Sequence, residues 1–447
     1  MEVNVLRTFK LGGIHPPENK LSANKKVETL ALPEIAYIPL AQHIGAPATP
    51  IVVKGDFVKV GQLIAAASGF VSANIHASVS GTVQGIESIV DTSGYARPSI
   101  AIKVEGDEWL DSIDCSNALQ EEIRLSASEI ISRIAEMGVV GMGGATFPTN
   151  IKLAVPTGKK ADVLIINGVE CEPFLTADDR VMLERGEELL VGIRVLMKSL
   201  NVSKAIIGIE NNKKEAIAHL SSLAKRYSEI SIQPLKVKYP QGGEKQLIKA
   251  TINREVPSGG LPIDVGAVVQ NVGTALAAYE AVQKSKPLIE RVVTVTGLTH
   301  IDPSNFRVRI GTPISQLIEK VGGLPECKVK VVSGGPMMGK ALSTASSPVT
   351  KGTSGILIMA DDLALRPVKS ECIRCAKCVS VCPMGLQPFL LNKMSMRKMY
   401  PELEANRITD CIECGSCSYT CPAGIPLLDF IRNGKGNVMQ IMRSRKK

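Results

Sequence analysis

Cys372-Ile373-Arg374-Cys375-Ala376-Lys377-Cys378-Val379-Ser380-Val381-Cys382-Pro383 and Cys411-Ile412-Glu413-Cys414-Gly415-Ser416-Cys417-Ser418-Tyr419-Thr420-Cys421-Pro422 write one pattern, CxxCxxCxxxCP, twice, with each cysteine displaced by 39 residues. Three thiolates at this spacing wrap one corner of an iron–sulfur cube, and the fourth, ahead of the proline, leaves its own loop to ligate the other cluster. The expected ligand sets are Cys372, Cys375, Cys378 and Cys421 for one [4Fe–4S] cluster, and Cys411, Cys414, Cys417 and Cys382 for the second. CxxC pairs also suit tetrahedral zinc. Zinc leaves the two matched sets of four as coincidence, and neither set contains a histidine. A chain with two such clusters moves electrons singly. Their potentials stay open, because they range over roughly −700 to +450 mV with hydrogen bonding and burial.

The remaining sequence bounds the setting. At 447 residues the chain exceeds what one hydrophobic core usually serves, which predicts several domains. Its 45% hydrophobic and 21% charged content is that of a soluble globular protein. The N-terminus lacks an apolar signal core and no run approaches the ~18 apolar residues of a membrane span, so the expected location is the cytosol or the cytosolic face of a membrane. Eight of the 11 cysteines belong to the clusters, and the scattered Cys115, Cys171 and Cys327 point to a reducing compartment rather than a disulfide framework. Net charge is +9, with Arg432, Lys435, Arg443, Arg445, Lys446 and Lys447 meeting no acid after Asp429. Such a tail reads as a solvated end, with docking to an anionic surface or partner as the alternative. With only 4% aromatic residues and no basic patch interleaved with aromatics, nucleic acid is not an expected partner.

Along the chain, residues 36–104 are short β-type runs cut by glycine, which predicts a small barrel or sandwich. The phrase Ile75 to Val83 resembles the hairpin of biotinyl and lipoyl carrier barrels, yet Ser78-Val79-Ser80 lacks the lysine that carrier chemistry needs, and His76 reads as structural. Ser126 and Glu129 form a capping box ahead of a helix whose apolar face is Ile130, Ile131, Ile134 and Met137. Strands and helices then alternate: strand Val163 to Ile166, helix Val181 to Leu200, strand Ala205 to Ile209, helix Lys214 to Tyr227, strand Ile230 to Val237, and helices near Gln246 and Thr274. Alternation of this kind predicts a parallel sheet covered by helices, with ligands beyond the carboxyl ends of its strands. After Pro287 a strand, a helix over Pro313 to Val321 and a strand at Val329 fit a β-grasp-like module, and a helix is expected over Leu390 to Tyr400 between the cysteine sets.

Gly141-Met142-Gly143-Gly144-Ala145-Thr146-Phe147-Pro148-Thr149 sits between a helix and the first strand of this sheet. Three glycines in four residues let backbone amides approach a ligand closely. The stretch is neither GxGxxG, since Thr146 stands at the third glycine, nor a P-loop, since no Gly-Lys-Ser/Thr follows. A plain turn is the bland alternative. Asn167-Gly168-Val169-Glu170-Cys171-Glu172-Pro173, Tyr239-Pro240-Gln241-Gly242-Gly243-Glu244-Lys245 and Gln270-Asn271-Val272-Gly273-Thr274 each place amides, carboxylates or glycines at a strand end or helix start.

In that order these four phrases resemble the flavin-binding motifs of the flavoprotein subunit of respiratory complex I. Together with the N-terminal Gly12-Gly13-Ile14-His15-Pro16-Pro17-Glu18-Asn19-Lys20, the β-grasp module and the twin cysteine motif, they make residues 7–430 resemble the RnfC family of Rnf electron-transport complexes. The resemblance implies a multidomain α/β chain. Its parts would be an N-terminal β barrel-sandwich domain (1–118), a Rossmann-like α/β domain for FMN and NADH (119–287), a β-grasp SLBB module (288–362) and a helical ferredoxin-type domain with two [4Fe–4S] clusters and the basic tail (363–447). By the same resemblance Gly141, Gly143, Gly144 and Lys152 would cradle a non-covalent FMN, with Asn167 bonding its ring. Glu170, Glu172, Tyr239, Gly242, Gly243 and Glu244 would line the flavin and nicotinamide pocket, Gln270, Asn271 and Thr274 would hold the ribityl phosphate end, and Phe147 is the one aromatic available for stacking. Thr146, Val169, Gly243 and Gln270 depart from the complex I phrases.

A flavin converts between the two electrons of a hydride and the single electrons a cubane accepts, so no protein acid or base is expected to be catalytic. The implied activity is oxidation or reduction of NAD(H) within a membrane-bound NAD:ferredoxin oxidoreductase. Implied partners are the other Rnf subunits, including integral membrane subunits and an iron–sulfur subunit, with ferredoxin reached indirectly. A soluble flavin iron–sulfur reductase such as a cobalamin reductase, and a flavin-free electron relay, are the alternative readings.

Overall fold

The structure is a computed structural model and describes residues 6–298, 301–360 and 364–445. Near the N-terminus, an antiparallel sheet of Ile35–Pro39, Ala96–Val104, Gly81–Val90 and Phe57–Val58 and a three-stranded sheet of Thr49–Pro50, Leu63–Ala66 and Ile75–His76 enclose a core of Ile38, Val58, Ile64, Ile75, Ile100 and Ile102. His76 lies in that core. Burial first, and then the Lys351 ammonium, push its imidazole down to about 3, so it stays neutral and structural, as its sequence context suggests.

The second domain is the expected parallel sheet, in the order Ile230–Leu235, Ala205–Glu210, Val163–Asn167, Ala267–Asn271. Its strands are near-continuous apolar runs because helices cover both faces. Leu189, Ile193 and Leu196 pack on one face, and Leu247 and Ile248 on the other. The capping box predicted at Ser126 is present on the helix Ala127–Glu136. One expected helix, Val181 to Leu200, is two: Ala177–Glu184 and Gly186–Leu200. The break falls at Arg185, and a Cβ at Gly186 would come within 2.9 Å of the His219 and Leu223 side chains of the helix Lys214–Leu223.

The β-grasp module holds a six-stranded sheet around the helix Ile314–Lys320. Its outer strand, Val27–Thr29, comes from the N-terminal segment and pairs in parallel with Ser304–Arg309, Val27 opposite Asn305. Lys351 ties the module to its neighbours. It is fully buried and donates from Nζ to the carbonyls of Asn74 in the barrel at 2.8 Å and Gly138 in the α/β domain at 2.7 Å.

The cysteine domain repeats itself in structure as in sequence. Lys377–Ser380 and Ser416–Tyr419 are matching short helices, and Pro388–Met396 and Leu427–Ser444 start at matching positions. The basic tail is not a solvated end. Most of it forms the helix Leu427–Ser444, whose Leu427, Leu428, Ile431 and Val438 are buried, and three of its four described cations find acids elsewhere in the fold: Arg432 and Lys435 both reach Glu413, and Arg445 reaches Glu404, while Arg443 is exposed and makes no ion pair among the described residues. Lys446 and Lys447 lie outside the described residues.

Candidate functional site

The sheet order places the first strand of the α/β domain, Val163–Asn167, between a neighbour that follows it and one that comes last, with Asn271 in register with Asn167. That reversal is the crevice where open α/β sheets bind ligands. Four of the sequence phrases converge there. The loop after Gly141 closes on itself through Gly141 N to the Phe147 carbonyl at 2.9 Å, and is tied to the last strand's helix by Met142 N donating to Thr274 Oγ1 at 2.9 Å. Asn271 caps that helix, accepting from Gly273 N at 2.8 Å, and its amide donates to Asp178 at 2.7 Å. A Cβ on Gly143 would come within 3.4 Å of Asn271, whereas one on Gly144, at φ +105°, would meet open space. The loop thus combines close backbone approach on one side with room on the other. Asn167 donates to the Gly242 carbonyl at 2.9 Å, joining the second phrase to the third. Lys152 pairs with Glu244 at 2.5 Å, half-buried at the same rim. Gln270 is 3% exposed and its Nε2 has no partner within the protein. An orphaned buried amide, an amino group, glycines and asparagine amides form a donor set that fits a flavin mononucleotide.

Two expected pocket carboxylates are engaged elsewhere. Glu170, at φ +46°, accepts from the amides of Asp178 at 2.7 Å and Asp179 at 3.3 Å, and so caps the helix Ala177–Glu184 in place of an N-cap side chain. Glu172 turns to the β-grasp module, where its Oε1 accepts from Met337 N at 3.1 Å and Met338 N at 2.7 Å while its Oε2 stays buried without a partner. Burial outweighs those two bonds and pushes its carboxyl up to about 7. The buried charge continues behind the crevice. Asp178 is pushed up to about 7 by burial and then by Glu170, and Glu210 to about 7 by burial. Lys20, to which the sequence assigns no role, donates to the carbonyls of Glu170, Glu172 and Leu175 at 2.7–2.9 Å and holds this loop in place. A cavity of about 220 Å³ lies beside it, lined among others by His15, Lys20, Cys171, Glu210, Lys238 and Tyr239. Of the expected flavin residues only Tyr239 reaches that cavity, so it is separate from the crevice.

Tyr239 links the crevice to the cysteines. It is 2% exposed and its hydroxyl donates to the Cys414 carbonyl at 2.8 Å. Around the same cysteine set, Gly13 N donates to Val381 at 2.9 Å, Ile14 and Tyr239 exchange two backbone bonds at 2.9 Å, and Gln246 donates to the Pro383 carbonyl at 3.3 Å. Cys382, Cys411, Cys414 and Cys417 line one cavity, the set expected when the fourth cysteine crosses over. The Cys417 thiol is pushed up to about 12, by burial and then by Cys411, Cys414 and Cys382. On the other side the Cys378 thiol is raised by burial and by its neighbours Cys421 and Cys375. Four thiols spread around one cavity are a ligand set that suits a multi-atom cluster.

Known proteins divide the chain in the same way. The RnfC barrel sandwich hybrid domain matches residues 8–107, the Nuo51 FMN-binding domain 134–280, the SLBB domain 292–341 and the 4Fe-4S dicluster domain 371–425. The C subunit of a proton-translocating ferredoxin:NAD(+) oxidoreductase complex from Clostridium ljungdahlii is 48% identical over 89% of this chain and 86% of its own length. The Na(+)-translocating counterpart from Acetobacterium woodii is 45% identical over 90% of each chain, and the C subunit of an ion-translocating oxidoreductase complex from Rhodobacter capsulatus is 42% identical over 87% of this chain and 75% of its own. With this similarity running through all four domains, the chain belongs to the RnfC family, the C subunits of ion-translocating oxidoreductase complexes.

Proposed function

We propose that this chain is the NAD(H)-interacting subunit of a membrane-bound NAD:ferredoxin oxidoreductase, passing electrons between NADH, FMN and two [4Fe–4S] clusters. The observation that carries the reading is the Tyr239 bridge. Tyr239 belongs to the loop that Asn167 ties to the strand-end crevice through the Gly242 carbonyl, and its buried side chain reaches the backbone of a cluster-ligand cysteine. A bound flavin supplies interconversion between hydride and single-electron chemistry. The chain's residues supply position and exclusion of water. Gly141, Gly143 and Gly144 open the backbone to the ligand, Lys152 and Gln270 offer donors, and Gly12 to Ile14, Gln246 and Met337 close over the cysteine set next to it.

Among the described residues no helix is long and apolar enough to cross a membrane. In this reading the chain sits peripherally on the cytoplasmic face, and integral membrane partners move the ion. Relatives named for protons and for Na⁺ are about equally similar to it, which fits an ion choice made in those other subunits. Anaerobic purification should yield about eight irons per chain, as two cubanes require, together with one releasable flavin. NADH should bleach the visible absorbance of both groups. A preparation with full iron and no flavin, or clusters that stay oxidised under NADH, refutes the proposal.

A further inference from the structure

The charge of this protein is concentrated at one end. Residues 363–447 hold 14 Lys and Arg against six Asp and Glu, a net +8 of the chain's +9. In the C-terminal helix much of this is neutralised by Glu413 and Glu404. The first cysteine loop differs. Every residue from 365 to 377 is exposed, and the segment carries four cations against Glu371. Among the described residues its hydrogen bonds and ion pairs stay within the cysteine domain, such as Ser370 N to the Ala423 carbonyl at 2.9 Å and Arg366 to Asp429. Two large apolar side chains stand in the open there, Val368 at 94% and Ile373 at 67% exposed, on either side of the exposed Cys372.

We propose that the 365–377 face is the docking surface for an acidic iron–sulfur protein that exchanges electrons with the cluster of Cys372, Cys375, Cys378 and Cys421. The inference rests on the electron-carrying function proposed above and adds a direction to it. The set around Cys414 is enclosed by the N-terminal segment, Tyr239 and the β-grasp loop and faces the flavin crevice, whereas the set around Cys375 faces outward. An apolar centre with a charged rim is the build of a transient redox contact, where charge speeds encounter and the small apolar area keeps release fast. Cations in the loop also offset the negative charge of a thiolate-bound cluster. Arg366 is paired with Asp429, but Lys369 also lies before the first cysteine and makes no ion pair among the described residues, so the positive charge extends past the ligands themselves. A lipid surface would meet the same cations, but it accepts no electrons from two exposed ligands.

The test uses the full chain with flavin and clusters reconstituted anaerobically, and a small acidic two-[4Fe–4S] ferredoxin as probe, with binding followed by calorimetry. Binding should weaken roughly tenfold or more between about 50 and about 300 mM salt, as screening dictates. Val368→Glu combined with Lys369→Glu should weaken it a further tenfold or so, while NADH still bleaches the variant's flavin and clusters. The milder Lys369→Gln should fall between, and Lys54→Glu on the barrel should leave binding at the wild-type level. Wild-type affinity in the double variant, or salt-independent binding, overturns the proposal. So does capture by phosphatidylserine vesicles that the double variant loses in place of ferredoxin binding. Failure of NADH to bleach the wild-type chain would instead count against the proposed function, with the binding result still readable.

Discussion

Arg374 and Glu413 occupy matching places in the two cysteine loops and share a left-handed backbone, at φ +57° and +58°. Arg374 is exposed and makes no ion pair among the described residues, whereas Glu413 holds Arg432 at 3.2 Å and Lys435 at 2.9 Å. Two positions on, Ala376 at φ +58° faces its counterpart Gly415 at φ +79°, and only the glycine lies under another domain: a Cβ there would come within 2.7 Å of the Met337 carbonyl. One ligand pattern has thus been placed in two environments, one sealed and one open. The lesson is that spacing fixes which thiols act together, while the surrounding domains decide what each set can touch.

The largest expected difference between the loops comes from removing a ligand in each. Cys414→Ser and Cys375→Ser should each lower iron from about eight to about four per chain. Only Cys414→Ser should leave its surviving cluster unreduced by NADH, because the sealed set lies between the crevice and the open one. Electron paramagnetic resonance of each variant after NADH addition checks this, and equal reduction of both survivors would break the comparison.

The seal itself should depend on pH through Glu172. Its carboxyl is held near 7 against an ordinary 4.5, so the native state keeps its proton over a range in which the unfolded chain has released it. That contribution is full below 4.5 and is lost as pH rises through 7. It amounts to something on the order of 3 kcal/mol for such a buried group. Denaturant melts from pH 5 to pH 8 should show wild type losing stability relative to Glu172→Gln, which carries no proton to lose. Parallel pH profiles would show that Glu172 does not titrate in the fold.

Exchanging the αL residues gives a smaller pair of opposite effects. Gly415→Ala should destabilise by about 2 kcal/mol, from left-handed strain together with the Met337 carbonyl, and Ala376→Gly should be neutral or stabilise by up to about 1 kcal/mol, since it relieves strain with nothing overhead. Thermal melts of the two variants test the asymmetry, and matching shifts would deny it. Smallest is Tyr239→Phe. Loss of one buried hydrogen bond worth about 1 kcal/mol should move the potential of the sealed cluster by some tens of mV and leave the open one in place. A redox titration resolves the two.

Much of this was readable from residues because the signals were local. The cysteine period fixed the crossover that brings Cys382 to Cys411, Cys414 and Cys417, and the alternation of apolar strands with helices located three of the four strands of the parallel sheet to within two residues, while the fourth, Ala267–Asn271, had no expected counterpart. The helix Leu427–Ser444 was hidden because Gly434 and Gly436 punctuate it and no acid follows Asp429 to offset its cations. Gly434 is there because Ser395 of the helix Pro388–Met396 packs against it, a contact no local pattern reveals. Glu170 and Glu172 were expected in the pocket by the resemblance to the complex I phrases. Their carboxylates answer instead to backbone amides of another helix and another domain, and Lys20, 150 residues upstream of Glu170, has no signal linking it to them.

The parallel pairing of Val27 with Asn305 gives the chain an unusual order of assembly. A strand made this far ahead of its neighbour has no place to dock until that neighbour emerges 278 residues later, a wait of roughly 15–55 s at ribosomal speeds of about 5–20 residues per second. During that interval the leading segment must stay unattached or be sheltered. The β-grasp module, late to leave the ribosome, is therefore the one that locks this early strand down.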